Sequence, residues 1–149
     1  MIDRLQELLN ELSVEFGVPL HPDKRGACQL KINNASSIQL EYDQKLENLL
    51  VATFICEVPP GKLRENILKD ALKSNGPFPK NGTLAYSDRN HQLTLFTHLR
   101  LADLTGKKLA EFLLAFLEKS NHWRTGVETG TTSQLVIPPT KSSSGMFGL

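Results

Sequence analysis

The side chains best suited to catalysis or metal binding are scattered through this 149-residue sequence. Its histidines and cysteines are His21, His91, His98, His122, Cys28 and Cys56. No two histidines have the spacing that would place both on one helix face as metal ligands, and there is neither a paired CxxC motif nor a glycine-rich phosphate loop. The sequence therefore predicts no metal, no cofactor and no catalytic residues, and it favours a binding protein over an enzyme.

Both cysteines, Cys28 and Cys56, fall in runs typical of β-strands. A nucleophilic cysteine needs a histidine brought close to it by the fold, and the sequence spacing does not supply one. Disulfides are rare in reducing compartments. We therefore expect two free, buried thiols.

The charge balance argues against nucleic acid as the main partner, and the short apolar runs argue against a membrane. Seventeen Lys and Arg oppose sixteen Asp and Glu, for a formal net charge of +1, whereas phosphate binding needs a concentrated basic face. Asp3 and Arg4 interrupt the only stretch that resembles a signal peptide, and no apolar run is long enough to span a membrane. These features predict a cytoplasmic protein.

Three segments have the apolar periodicity of amphipathic helices. They cover residues 2–16, 62–75 and about 104–125, and glycine or proline follows each of the first two. Asp103 or Thr105 is suited to cap the start of the third helix. The segments between these helices are left for strands and turns.

Five short stretches alternate apolar and polar residues, as half-buried strands do. They are residues 28–32, 38–42, 49–56, 83–86 and 92–99, with a turn predicted at Asn33-Asn34. The third stretch is apolar on both faces, with Leu49, Val51 and Ile55 on one and Leu50, Ala52, Phe54 and Cys56 on the other. Helices can cover one face of such a strand, and something else must cover the other.

The order α-β-β-β-α-β-β-α predicts an α+β fold, a two-layer sandwich of an antiparallel sheet with helices. We assign residues 1–125 to one domain. Residues 126–149 are rich in Ser, Thr, Gly and Pro, a composition that predicts a flexible tail dispensable for folding, with 135–137 as the contact if the tail docks.

Residues 2–125 resemble the class I type III secretion chaperones, the Tir-chaperone (CesT-like) family of Gram-negative pathogens. The similar stretches are GAC at residues 26–28, ALKSN at 71–75, GTLAY at 82–86, QLTLF at 92–96 and HWR at 122–124. Each motif is weak alone, and their shared order carries the resemblance.

The resemblance implies a cytoplasmic bacterial chaperone that holds the N-terminal segment of a secreted effector in extended form and keeps it soluble and secretion-competent. It implies a dimer whose contact is formed by Leu63, Ile67, Leu68, Ala71, Leu72, Leu84 and Tyr86. Because this chain is near neutral whereas family members are usually acidic, both a homodimer and a heterodimer with a sister chaperone stay open. The ATPase of the secretion apparatus is a further expected partner.

Cargo is expected to bind by strand addition and in apolar grooves. The surplus apolar face of the third strand and the wide stripe of the first helix predict a groove formed by Leu8, Leu12, Leu50 and Phe54. Two alternatives remain at this stage. One is a small α+β enzyme or ligand-binding domain with a compact polar pocket, and the other is a structural adaptor of the secretion apparatus with a broad, partly polar interface.

Overall fold

The structure is a computed structural model that describes residues 2–31 and 37–136. Its helices are α1 (Ile2–Phe16), α2 (Lys62–Asn75) and α3 (Gly106–Thr129), and its strands are β1 (Ala27–Lys31), β2 (Ser37–Asp43), β3 (Asn48–Glu57), β4 (Thr83–Ser87) and β5 (Gln92–Arg100). Two 3₁₀ turns occupy Leu101–Asp103 and Thr132–Leu135. Ile32 and the predicted turn at Asn33-Asn34 lie outside the described residues.

The five strands form one antiparallel sheet in the order β1-β2-β3-β5-β4. Consecutive strands β1, β2 and β3 are neighbours, and β5 then inserts between β3 and β4. The predicted fold class and the predicted order of elements are both confirmed.

The helices cover one face of this sheet. Along each strand the residues of one parity are buried, among them Leu40, Val51 and Leu95, while most of their neighbours are partly or fully exposed. The apolar stripes of α1 and α3 join those buried residues in a single core cluster. Thr105 caps α3 by accepting a hydrogen bond from the Lys108 backbone N–H at 3.1 Å.

Helices α1 and α3 meet closely at Gly106. A Cβ at this position would lie 2.3 Å from the Cβ of Glu11 and 2.9 Å from its carbonyl carbon. The Glu11 carboxylate also accepts a hydrogen bond from the Gly106 N–H at 2.7 Å, which places a negative charge at the positive end of α3.

Replacing Gly106 with Ala is expected to force these two helices apart. Overpacking of this kind costs about 2 kcal/mol, which lowers Tm by roughly 5–10 °C in thermal denaturation followed by circular dichroism. Lys107→Ala, at the exposed neighbouring position, is the control and should leave Tm within about 2 °C. An unchanged Tm in Gly106→Ala would contradict the close contact.

The prediction of a flexible tail from residue 126 is wrong for residues 126–136. Helix α3 continues to Thr129, and Val127 and Thr132 are buried. The Thr132 hydroxyl donates to Asp70 of α2 at 2.7 Å. The absence of a Cβ at Gly126 gives Leu135 room to approach, because a Cβ there would lie 2.8 Å from the Leu135 Cδ1. Residues 137–149 lie outside the described residues.

Deleting residues 126–149 is therefore expected to destabilise the domain. The deletion uncovers apolar core and removes the hydrogen bond to Asp70, a loss of about 3 kcal/mol. The melting temperature should fall by roughly 10 °C relative to a chain that lacks only residues 137–149. Equal melting temperatures for the two truncated chains would show that residues 126–136 do not stabilise the domain.

Both cysteines are free, with Cys28 buried and Cys56 half-buried. Burial raises the pKa of both thiols above the ordinary value. Both are therefore protonated and weakly nucleophilic at neutral pH. Within the described residues, no helix is long and apolar enough to cross a membrane, and no group of three or more His, Cys, Asp or Glu side chains could hold a metal ion.

Candidate functional site

The face of the sheet opposite the helices is left uncovered at β3. On this strand Val51, Thr53 and Ile55 are buried, whereas Phe54 is 56% exposed and Leu50 is partly exposed. Alternation of side chains along a strand places these two groups on opposite faces. The sequence thus assigned the two faces correctly up to Phe54. A register shift between Phe54 and Cys56 ends the alternation, and Cys56 packs against the core.

A shallow cavity of about 380 Å³, here called the sheet groove, lies on this open face. Its lining residues are Gln29, Ser37, Gln39, Ala52, Thr53, Phe54, Thr94 and Phe96. Register explains how four strands contribute to it. Ala52 is paired with Gln39 on β2 and with Phe96 on β5, and Phe54 is paired with Thr94. The two phenylalanines therefore stand two positions apart along the strand direction, with the small side chain of Ala52 beside them.

Neutral polar groups surround the two aromatic rings of the sheet groove. Gln29 donates from Nε2 to the Ser37 hydroxyl at 2.7 Å. The hydroxyl of Thr53, whose side chain is buried beneath the groove, donates to the Ser37 carbonyl at 2.7 Å. None of the eight lining side chains is ionisable. The groove can therefore bind apolar side chains and hydrogen-bond to a backbone, but its lining offers no general acid or base.

Leu8 and Leu12 do not belong to the sheet groove, and their prediction as cargo-binding residues is wrong. Both are fully buried. The stripe on α1 is wide because Leu5, Leu8, Leu9 and Leu12 all enter the core cluster shared with α3 and the sheet. The surplus apolar residues of this helix fill the protein's own interior.

The residues predicted to form a dimer contact divide into two sets. Ile67, Ala71 and Leu84 are buried within the single chain, where α2 meets β4. Exposed or half-buried are Leu63, Leu68, Leu72 and Tyr86. The prediction of a dimer contact is wrong for Ile67, Ala71 and Leu84, because these side chains face the chain's own core.

The outward leucines of α2 lie on different sides of the helix. Leu63 and Leu72 are 43% and 71% exposed, and nine residues at 3.6 per turn separate them by about half a turn. Leu68 lies one turn before Leu72 and on the same side. A partner that contacts one side of α2 would therefore bury Leu68 and Leu72 together, without Leu63.

Two aromatic residues at the surface, half-buried Phe96 and exposed Phe78, were not predicted as functional. Phe96 could have been found from β5 alone, because it has the opposite parity to the buried Leu93 and Leu95. Phe78, between α2 and β4, is 89% exposed and borders a cavity of about 410 Å³ next to Lys119, His122 and Trp123 of α3. No periodic signal marks a residue in such a loop.

The model of the Tir chaperone protein (CesT) family matches residues 7–124. The chain belongs to the Tir chaperone protein family. The resemblance predicted from the sequence motifs is confirmed, and so is the function it implied, that of a type III secretion chaperone that binds effectors. No curated protein sequence matches significantly.

Solved structures of low sequence identity share the fold of this Tir chaperone family member. A chain of the HopA1–SchA chaperone–effector complex has 21% identity and a TM-score of 0.68, over 84% of this chain and 98% of that one. A chain of the complex between the Yersinia pestis type III secretion chaperone SycH and a stable fragment of YscM2 has 20% identity and a TM-score of 0.66, over 80% and 98%. A chain of the ExsC–ExsE complex has 19% identity and a TM-score of 0.70, over 84% and 94%.

Proposed function

We propose that this chain binds the N-terminal segment of a secreted effector in extended form and that the sheet groove is the principal contact. The observation that carries the proposal is the aromatic pair of exposed Phe54 and half-buried Phe96 in a groove without ionisable lining residues. An extended segment that lays apolar side chains over this pair would cover the one sheet face that the helices leave open. Binding there keeps the effector's own apolar segment away from water and from aggregation.

The energetics of the sheet groove suit a chaperone that must later release its cargo. Full burial of one phenylalanine side chain contributes about 1.5–3 kcal/mol, and ordering of the extended segment offsets part of that gain. Affinity would then come from several such contacts along the segment. The neutral rim of Gln29, Ser37 and Gln39 accepts backbone amides without demanding a particular charge, which fits recognition by shape and hydrophobicity.

The proposal extends to assembly, location and chemistry. It assigns a dimer contact to the outward side of α2 and the adjacent β4, with Leu68, Leu72 and Tyr86 as the accessible members of the predicted set and Leu63 on another side. The dimer is a homodimer or a heterodimer with a sister chaperone. The chaperone works in the bacterial cytoplasm as a non-catalytic protein, and it hands cargo to the ATPase of the secretion apparatus.

The experiment that tests this function is affinity purification of the tagged chain from its native cytoplasm, followed by identification of the captured protein and deletion of its N-terminal segment. We expect capture to depend on that segment. In calorimetry, the isolated segment should bind this chain with the same affinity as the full-length captured protein. Capture that survives the deletion, or that requires a folded domain of the partner, would favour the adaptor alternative.

A further inference from the structure

Strands β1 and β4 form the two edges of the sheet. In an antiparallel sheet, alternate residues of an outer strand point their backbone N–H and C=O groups away from the neighbouring strand, where another strand can pair with them. A chaperone that handles extended chains is exposed to unwanted pairing at both edges. The hydrogen bonds made by the outward backbone groups of β4 and β1 show whether each edge is open to another strand.

At the β4 edge, Leu84 is bonded on its outward side by a side chain. Asn75, the last residue of α2, accepts the Leu84 N–H with Oδ1 at 2.8 Å and donates from Nδ2 to the Leu84 carbonyl at 2.9 Å. A side-chain amide thus makes the same pair of hydrogen bonds that a neighbouring strand would make. The N–H and the carbonyl of Leu84 are therefore both hydrogen-bonded within the chain and cannot pair with an added strand.

The backbone carbonyl of Gly82, two positions before Leu84, also accepts a hydrogen bond from a side chain. Lys119 of α3 donates from Nζ to the Gly82 carbonyl and to the Lys80 carbonyl, each at 2.7 Å. Burial lowers the pKa of this half-buried ammonium. Of the two outward positions within β4, Leu84 and Tyr86, only Tyr86 has backbone groups that make no hydrogen bond outside the sheet, within the part of the chain that the structure describes.

The β1 edge differs. Asp23 makes hydrogen bonds to both outward backbone groups of Ala27. Its carboxylate accepts the Ala27 N–H at 3.0 Å, and its own backbone N–H donates to the Ala27 carbonyl at 2.7 Å. The next outward positions are Gln29 and Lys31. Across residues 2–31 and 37–136, the only further bond to their backbone groups is a long 4.0 Å contact from the Cys28 thiol to the Gln29 carbonyl.

From these contacts we infer that Asn75 and Lys119 are edge plugs that close β4 to strand addition. A strand needs successive outward residues to form a ladder, and the plugs leave β4 with one. Neither a second copy of this chain nor an extended segment can then pair with β4 as an added strand. The β1 edge can still accept one. Contacts to β4 must then be made by side chains, without one continuous sheet. This role goes beyond the proposed cargo binding and does not depend on it.

The test compares Asn75→Ala with Asn66→Ala in the full chain. Asn66 is the same residue type on the same helix, is exposed, and its side chain makes no hydrogen bond within the described residues. In dilute Asn75→Ala, hydrogen exchange of the Leu84 amide should be roughly tenfold faster than in the unaltered chain. At high concentration we expect that amide to become protected again, while sedimentation velocity shows species larger than those of the unaltered chain. Asn66→Ala should show neither change.

Asn75→Asp separates the plug from a general loss of structure. The carboxylate still accepts the Leu84 N–H but cannot donate to the carbonyl, so we expect slow exchange at Leu84 and no larger species. If Asn75→Ala keeps its Leu84 amide protected when dilute, or forms no larger species at any concentration, the inference is overturned. It is also overturned if Asn75→Asp associates as strongly as Asn75→Ala. None of these outcomes depends on whether cargo binds in the sheet groove.

Discussion

Phe54→Glu is expected to reduce binding of the effector's N-terminal segment by at least about a hundredfold while leaving the fold intact. The change removes the apolar contact of a ring that would be buried on binding, and it places a carboxylate in a groove that offers no positive charge. The two effects together exceed roughly 3 kcal/mol. Because the side chain is more than half exposed, the free protein tolerates the charge.

The measurement is isothermal titration calorimetry with the segment identified by affinity capture. Phe78→Glu is the matched control, since it replaces a more exposed phenylalanine that lies outside the sheet groove. Circular dichroism and thermal denaturation establish that both variants are folded. Normal binding by folded Phe54→Glu would place the cargo elsewhere, and unfolding of that variant would make Phe54 part of the core.

The second large effect is expected at α2, where Leu72→Asp should convert the proposed dimer to a folded monomer. Leu72 is exposed in the single chain, so a charge there costs little until a partner covers it, and an unpaired charge in an apolar interface then costs several kcal/mol. Sedimentation equilibrium measures the mass. Leu46→Asp, which replaces a similarly exposed leucine between β2 and β3, should leave the dimer unchanged.

Ile67→Asp distinguishes an interface from the core in the same experiment. Its side chain is buried in the single chain. The charge should therefore lower the free energy of unfolding by several kcal/mol, enough to unfold the protein, whether or not a dimer forms. A Leu72→Asp variant that remains dimeric would remove this side of α2 from the contact. A folded monomer in Ile67→Asp would return Ile67 to the dimer contact that the resemblance implied.

Periodicity predicted the elements well because each helix and strand has one clearly apolar side. The bounds of α2 agree to the residue, since proline and glycine flank it on both sides. On β3 the parity of Leu50 and Phe54 was enough to find the open face, because every side chain of a strand belongs to one of two faces.

The wrong predictions share a physical cause, which is that the solvent exposure of a side chain depends on tertiary contacts. The apolar stripe on α1 has the same appearance whether Leu8 faces a partner or the core. Residues 126–136 look like a tail by composition, yet Gly126 allows Leu135 to approach α3, and Thr132 bonds to Asp70, a residue distant in sequence. Neither contact leaves a periodic signal. Phe96 is a different case, since its parity on β5 was readable but it was not linked to Phe54 until register placed both on one face.

The central claim is that cargo lies on the open face of the sheet, and site-specific photo-crosslinking in the native cytoplasm tests it most directly. A benzophenone amino acid is placed at Gln39, on the exposed rim of the sheet groove, or at Leu114, an exposed position on α3. We expect the Gln39 probe to crosslink to the N-terminal segment of the effector and the Leu114 probe to give no such product. Crosslinking of that segment from Leu114 and not from Gln39 would contradict the account.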